Sequence, residues 1–598
     1  MKPFSVRARS AVATACALAA GIVGSPAAHA AATAATAPAA PTVTAGRHVI
    51  SKSQLPKNAV RYTGPAFTPG ATGSTFPAAT APGSGSTRVV GGTPAQSGDF
   101  PGVVGIVTVF FLADPNGGLD EWTATCTGTV ASPTQILTAA HCDTEMPFGT
   151  TYVIAGRDNL SDTTSGYVAA VRSTWTDQAY QVSSTGVPTD DVSVITLWNP
   201  LPAAYTDVSL TAQGDQTPYA AGTSATVVGY GETLAGNTSS AGTLNQATVP
   251  IQSDATCTAA MPGYAAATMT CAGDAAGGPD SCNGDSGGPL LVNGVEAGIV
   301  DWGSEACGSA GTYGVYERLS AYNSAITTAM AEPPIINMGF FGGGHPDIMA
   351  ISGAGDLLLY NNSGFLNDGA DGFAGVLDMG SGWGGLQQVF RVNNWNGDNT
   401  MSLMAVTQDG TLLEYQGDGQ GDWANNGNPT EIGTGWNIFN DIMVVNNWEG
   451  DGHADLIGRE ANGDLLLYES NGEGGWVSQS GTLIGTGWGL FNSILTPGTW
   501  NGDGHQVLIG REANGDLLEY VSDGHGGWVS QTGTVIGTGW NMFSTFLTVG
   551  DWNGDGMMDM IGVTPSGTML MYETNGKGQW ITGQGIQIGS GWTYGQIF

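Results

Sequence analysis

The chain has 598 residues, with 51 Asp and Glu against 15 Lys and Arg and a formal net charge of −36, a length that accommodates two to four domains. Eight of the 15 bases precede position 89, where no acid occurs, so everything after it is strongly acidic. Such a surface repels nucleic acid and anionic membranes and favours cationic partners, which excludes nucleic acid as a ligand.

Lys2, Arg7 and Arg9 precede the apolar run Ala11 to Val23 and the small residues Ala28-His29-Ala30. This order predicts a signal peptide over 1–30 and a secreted, extracellular protein. The apolar run is too short for a membrane helix and no later segment reaches spanning length, so no membrane span is expected. Residues 31–88 are rich in Ala, Pro, Thr, Ser and Gly and predict a largely disordered segment ending at Arg88. Cys16 falls in the signal segment. The other six cysteines, Cys126, Cys142, Cys257, Cys271, Cys282 and Cys307, lie in one stretch, and an even count in an exported chain predicts three disulfides.

From Val89 to about 332, short apolar runs such as Val103–Phe111, Gln135–Ala139 and Val192–Leu197 alternate with Gly, Pro and Asp loops, which predicts an all-β domain. A helix over Ala321–Met330 closes it before Pro333-Pro334. Residues 335–598 repeat: Gly-x-Gly-Trp recurs at Trp383, Trp436, Trp488, Trp540 and Trp592, with spacings of 53, 52, 52 and 52 residues. Periods of this length rich in β-formers predict five propeller blades rather than a helical solenoid. Phe598 aligns with Phe546 and Asp347 with Asp559, so one blade is completed from both ends of the repeat region.

Three local patterns in residues 89–332 carry chemistry. Leu137-Thr138-Ala139-Ala140-His141-Cys142 ends an apolar strand in a histidine, Asp191 begins another strand, and Gly284-Asp285-Ser286-Gly287-Gly288-Pro289 presents a serine in a glycine-rich turn. Segment by segment, and in this order, they resemble the chymotrypsin/trypsin family. A serine is a weak nucleophile until a base takes its proton, and His141 is the sole histidine between 89 and 332. The resemblance implies a two-β-barrel chymotrypsin-like domain at 89–332 with Ser286 as nucleophile, His141 as base and Asp191 orienting it. The N–H groups of Gly284 and Ser286 would form the oxyanion hole. An acid six residues before the nucleophile, Asp280, with Trp302, Gly303 and Gly314 as pocket walls, implies cleavage after Arg or Lys. The resemblance also implies that residues 31–88 are the propeptide of a zymogen cut after Arg88, whose freed Val89 ammonium pairs with Asp285, and the pairings Cys126–Cys142, Cys257–Cys271 and Cys282–Cys307. It implies protein or peptide substrates and no cofactor for catalysis. One position departs from the family: Asp301 stands where a serine usually supports the catalytic acid. Two neighbouring carboxyls repel and raise the pKa of one, which predicts either a triad weakened at acidic pH or an Asp301 turned to solvent.

In the repeats, Asp551, Asn553, Asp555, the Met557 carbonyl and Asp559 have the spacing of an oxygen-only calcium loop and resemble FG-GAP/VCBS-type repeats. Asn447, Glu449, Asp451 and Asp455 keep a weaker version. Calcium is therefore expected in the repeat domain. Thirteen of the 17 tryptophans lie there, and most are expected in blade cores. Their Asn-, Asp- and Gly-rich loops also resemble lectin propellers such as tachylectin, which implies a glycan or surface ligand. The whole reads as an all-β secreted serine endopeptidase with a binding propeller. The alternative is a lectin-like or adhesive protein with an inert protease-like domain.

Overall fold

The computed structural model describes residues 41–43, 49–56, 58–64, 67–69 and 90–598, apart from 115–117, 147–148, 333–334, 338, 365 and 367–371. The expected signal peptide and the activation pair Arg88 and Val89 lie outside the described residues, as does much of the expected propeptide.

The strand Val103–Ala113 organises the first domain. Every residue from Val103 to Leu112 is buried, because the period-two alternation of a strand sends its two faces into different cores. Val104, Ile106, Phe110 and Leu112 join one core, while Val103, Val107, Val109 and Phe111 pack with Tyr152, Val228 and Tyr230 in another. The strand Leu119–Ser132 pairs with both Val103–Ala113 and Gln135–Thr138, which closes six antiparallel strands into a barrel. A second sheet of seven strands follows, and a bridge between Ile251 and Ala272 brings its two ends together. The helix Leu319–Ala331 returns to the first barrel and buries Leu319, Tyr322 and Ile326 in its core.

Five blades follow. Four are four-stranded antiparallel sheets, and the fifth joins Ile348–Ile351, Leu357–Asn362 and Phe373–Ser381 to Gln596–Ile597. The pairing of Ala350 with Ile597 closes the ring as the repeat alignment predicts. The glycine before each Gly-x-Gly-Trp tryptophan has φ between 80 and 89°, a left-handed conformation that only glycine adopts without strain. Trp395, Trp448, Trp500 and Trp552 are fully buried. Trp476, Trp528 and Trp580 donate Nε1–H to the carbonyls of Ile432, Ile484 and Ile536 in the preceding blades, at 2.7–2.9 Å. The repeated tryptophans are thus blade core and inter-blade ties.

Among the described residues before position 70, several pair with or pack against the two domains. Val60–Arg61 adds a short edge strand to Leu119–Ser132, and Asn58 Nδ2 donates to the Thr125 carbonyl at 3.1 Å. Ile50 and Phe67 are buried in the two cores of the first barrel. Thr42–Val43 pairs with Phe373–Ser381 of the closing blade. Two-residue strands carry no periodicity to read. They are held by edge pairing and single anchors, each buried apolar side chain contributing about 1.5–3 kcal/mol.

The propeller meets the first barrel beside the short helix His141–Thr144. His345 Nε2 lies 3.0 Å from Asp143 Oδ1, with both side chains buried, and its Nδ1 lies 3.3 Å from Thr174 Oγ1. Burial opposes charge on His345, but Asp143 outweighs it and pushes the imidazole pKa up. Thr176 N–H also donates to the Gly554 carbonyl at 2.8 Å.

All six arginines after position 89 are buried or half-buried, and each donates to a main-chain carbonyl. Arg157 reaches Ser165 and Leu160, Arg172 reaches Ile335, and Arg318 reaches Met269. In the propeller Arg391 reaches Asp347, Arg459 reaches Phe491, and Arg511 reaches Phe543.

Candidate active site

The register of the first barrel brings the histidine and the first acid together. Ser193 pairs with Thr138 in antiparallel strands, so the residue two before the one strand meets the helix that follows the other. His141 N–H donates to Asp191 Oδ1 at 2.8 Å, and Nδ1 lies 2.5 Å from Oδ2. Asp191 is fully buried. Burial opposes its charge, but the His141 ring and the hydrogen bonds it accepts hold its pKa below the usual carboxylate range. Burial likewise opposes charge on His141, and Asp191 overcomes this to raise the imidazole pKa.

Ser286 sits in a turn that requires its glycines. Gly284 and Gly287 have φ of 95 and 79°, and a Cβ on Gly287 would lie 2.0 Å from Thr138 Oγ1. Without it, the nucleophile turn docks onto the strand Gln135–Thr138 that leads into His141. Thr127, unremarked in the sequence, clamps this turn. Its N–H donates to the Ser286 carbonyl at 2.8 Å and its Oγ1 to the Gly284 carbonyl at 2.9 Å. The Asp285, Gly287 and Gly288 N–H groups donate to the carbonyls of Cys282, Val300 and Asp285. Among the described residues the Gly284 and Ser286 N–H groups have no such partner. His141 and Ser286 line one cleft of about 400 Å³ with Ser281, Trp302 and Gly303.

Asp280 is buried behind Ser281, 3 % exposed. Oδ2 accepts the Gly308 N–H at 2.9 Å, whereas Oδ1 has no hydrogen-bond partner. Burial pushes its pKa up to about 6. A Cβ on Gly314 would lie 2.7 Å from that Oδ1, so only glycine there leaves space beside the buried oxygen. Gly303 faces Gly314, its added Cβ meeting nothing closer than 3.8 Å. The Asp280 N–H donates to the Val90 carbonyl at 3.1 Å. Asp285 is fully buried and accepts the N–H groups of Gly231 and Cys282 at 2.8 and 2.9 Å. Burial pushes its pKa to about 7. The three disulfides join Cys126–Cys142, Cys257–Cys271 and Cys282–Cys307.

Asp301 is 5 % exposed and is therefore not turned to solvent. Its oxygens approach Asp191 and His141, one atom from each residue lying within 4.8 Å of the others. Burial and the charges of Asp191 and Glu317 push its pKa well up. Asp301, not Asp191, thus takes the rise that the sequence predicts for one of the two carboxyls. Glu317 is the residue that the sequence did not reveal: it is fully buried, and Oε1 accepts the Asp191 N–H at 3.0 Å.

In the propeller, Asp551, Asn553, Asp555 and Asp559 share one loop, with Asp551, Asn553 and Asp559 buried. Asp551 Oδ1 and Oδ2 accept the N–H groups of Asp555 and Gly556, and Asp559 Oδ2 accepts that of Trp552. Asp559 Oδ1 is buried without a partner. The loop read as weaker converges more tightly: oxygens of Glu449, Asp451 and Asp455 lie within 4.8 Å of one another, and Asp455 Oδ2 and both Glu449 oxygens are buried without a partner. Both are oxygen-only donor sets that suit a hard divalent cation.

The trypsin family model matches residues 89–326, and the tachylectin family model matches residues 350–597. A trypsin of Saccharopolyspora erythraea is 39 % identical over 234 residues, covering 39 % of this chain and 94 % of that protein. Trypsin-1 of Salmo salar is 41 % identical over 111 residues, 19 % of this chain and 45 % of that protein. A solved mouse structure, neuropsin, described as a serine protease expressed in the limbic system of mouse brain, is 27 % identical with a TM-score of 0.34, covering 40 % of this chain and 98 % of that one. The chain belongs to the trypsin family, with a trypsin-like serine protease domain followed by a tachylectin-like propeller.

Proposed function

We propose that the protein is a secreted serine endopeptidase that cleaves after Arg or Lys, is made as a zymogen cut after Arg88, and binds a surface through its propeller. The observation that carries the specificity is Asp280. A buried carboxylate with one oxygen unpartnered is costly alone, and a guanidinium or ammonium entering beside Gly303 and Gly314 supplies the missing charge. In this reading His141 takes the Ser286 proton as the serine attacks the scissile carbonyl. The same proton then goes to the leaving amine, and the resulting acyl-enzyme is hydrolysed by the same route. Gly284 and Ser286 N–H groups receive the oxyanion. Cleavage after Arg88 would free the Val89 ammonium to pair with Asp285, a buried acid with hydrogen bonds but no cation beside it among the described residues. Among those residues no helix is long and apolar enough to cross a membrane.

The test is hydrolysis of an Arg-containing chromogenic peptide after cleavage at Arg88, set against Ser286→Ala and against a peptide with an apolar residue at the same position. Hydrolysis of neither peptide would favour the adhesive reading.

For the propeller, equivalent pockets between blades support a glycan ligand. One of about 440 Å³ is lined by Trp436, Tyr468, Trp476, Glu431 and Gln479, and another of about 520 Å³ by Trp592, Tyr360, Phe373 and Gln587. Aromatic faces beside polar side chains suit sugar rings. A glycan array probed with the full-length Ser286→Ala protein tests this, and no retained sugar would count against it. Calcium is proposed for the FG-GAP/VCBS-like loops, held by Glu449, Asp451 and Asp455 and by Asp551, Asn553, Asp555, the Met557 carbonyl and Asp559. It would supply charge compensation in the propeller and no step of peptide hydrolysis. Calcium is expected to raise the melting temperature of the wild type and to raise it less in Asp455→Asn. Equal melting in calcium and in chelator would sink the assignment.

A further inference from the structure

We propose that Asp301 is a positioning residue that remains protonated while the enzyme works, donating its O–H to Asp191 and accepting one from Glu317. This rests on the serine protease reading above, and the geometry reaches beyond it. Asp191 Oδ1 accepts the His141 N–H and Oδ2 faces His141 Nδ1. Its own N–H is spent on Glu317 Oε1. Asp301, buried on the strand Val295–Trp302, faces this carboxylate with neither oxygen reached by any N–H or O–H donor. Glu317, on the paired strand Gly314–Arg318, likewise has Oε2 buried and unreached.

Three carboxyls in one buried cluster cannot all be ionised, because each added charge meets both desolvation and like-charge repulsion. The groups facing Asp301 are Asp191, Glu317, His141 and Tyr180. His141 supplies at most one compensating charge, and it is already committed to Asp191. With one proton on Asp301 and one on Glu317, every unreached oxygen gains a partner: Glu317 donates to Asp301, Asp301 donates to Asp191, and a single negative charge remains where His141 needs it. Burial also pushes Glu317 up to about 8, in agreement with a neutral acid at that position. The protons stay in place through the reaction. The role is to fix Asp191 and keep its charge single, as a hydroxyl would, but from a group that can lose its proton.

The direct test is infrared spectroscopy of the full chain carrying Ser286→Ala, at pH 7. The difference spectrum against Ser286→Ala with Asp301→Asn is expected to lose a protonated-carboxyl carbonyl band. Loss of an ionised-carboxylate band instead would overturn the proposal. This readout needs no turnover, so an enzyme inert towards every peptide would fail the protease reading and leave the proton assignment to be judged on its own. In the active enzyme, Asp301→Ala is expected to lower kcat about tenfold with KM changed less than about twofold, the size of one buried hydrogen bond lost from the transition state. Asp301→Asn, which keeps a donor, is expected to recover most of that loss and to flatten any alkaline decline that Asp301 causes. Equal losses in Ala and Asn would overturn the positioning role.

Discussion

Ser286→Ala is expected to lower kcat for an Arg-containing peptide by about a millionfold, with KM nearly unchanged. The reason lies in what the substitution leaves behind. The Thr127 clamp holds the turn through the Ser286 and Gly284 carbonyls, so alanine at 286 keeps the backbone, the Gly284 and Ser286 N–H groups and the cleft. Only the attacking oxygen is lost, and with it the covalent route. The residual rate would come from the oxyanion donors and binding alone. A variant retaining more than about a thousandth of the activity would mean that Ser286 is not the nucleophile.

Asp280→Asn is expected to lower kcat/KM for Arg and Lys peptides by about two to nearly four powers of ten, from the roughly 3–5 kcal/mol lost when one partner of a buried charge pair is removed. The shape is conserved, so peptides with a neutral residue at the same position should be far less affected. The wild type also carries a pH signature. Burial pushes Asp280 up to about 6 in the unliganded pocket, so the carboxylate is neutralised as pH falls through about 6 and the attraction for a cation is lost there. The preference for Arg over a neutral residue should therefore shrink below pH 6, and this dependence should vanish in Asp280→Asn. Comparing two substrates cancels the titration of His141, which acts on both. A preference that is flat from pH 5 to 8 in the wild type would contradict the assignment.

Residues were legible where their chemistry is local. His141, Asp191 and Ser286 announce themselves through short motifs, because a strand end, a strand start and a glycine turn are each coded within a few residues. The five-bladed ring was legible from its period, since each repeat buries the same tryptophans. What could not be read depends on contacts between distant segments. Glu317 meets Asp191 across 126 residues, and His345 meets Asp143 across 202; neither position has a local pattern that marks it. The leader strands Thr42–Val43 and Val60–Arg61 take their register from partner strands, with no alternation of their own. Residue identity favours the Asp551 loop as the candidate cation site, whereas convergence depends on where oxygens point, and the Glu449 loop converges more tightly.

The arginines that prop main-chain carbonyls have a second effect in a protease of the proposed specificity. A scissile arginine must leave its surroundings and extend into a deep pocket, yet those at 157, 172, 318, 391, 459 and 511 are anchored beneath the surface of folded domains. Of the basic residues after position 89 only Lys577 is exposed, whereas Lys52 and Arg61 stand exposed in the leader. With that specificity the folded protein would be a poor substrate for its own kind, and self-digestion would be steered towards the segment it is proposed to shed. Mass spectrometry of the enzyme after prolonged incubation should find cuts in the leader and after Lys577. Early cuts after the anchored arginines would show that this armour does not hold.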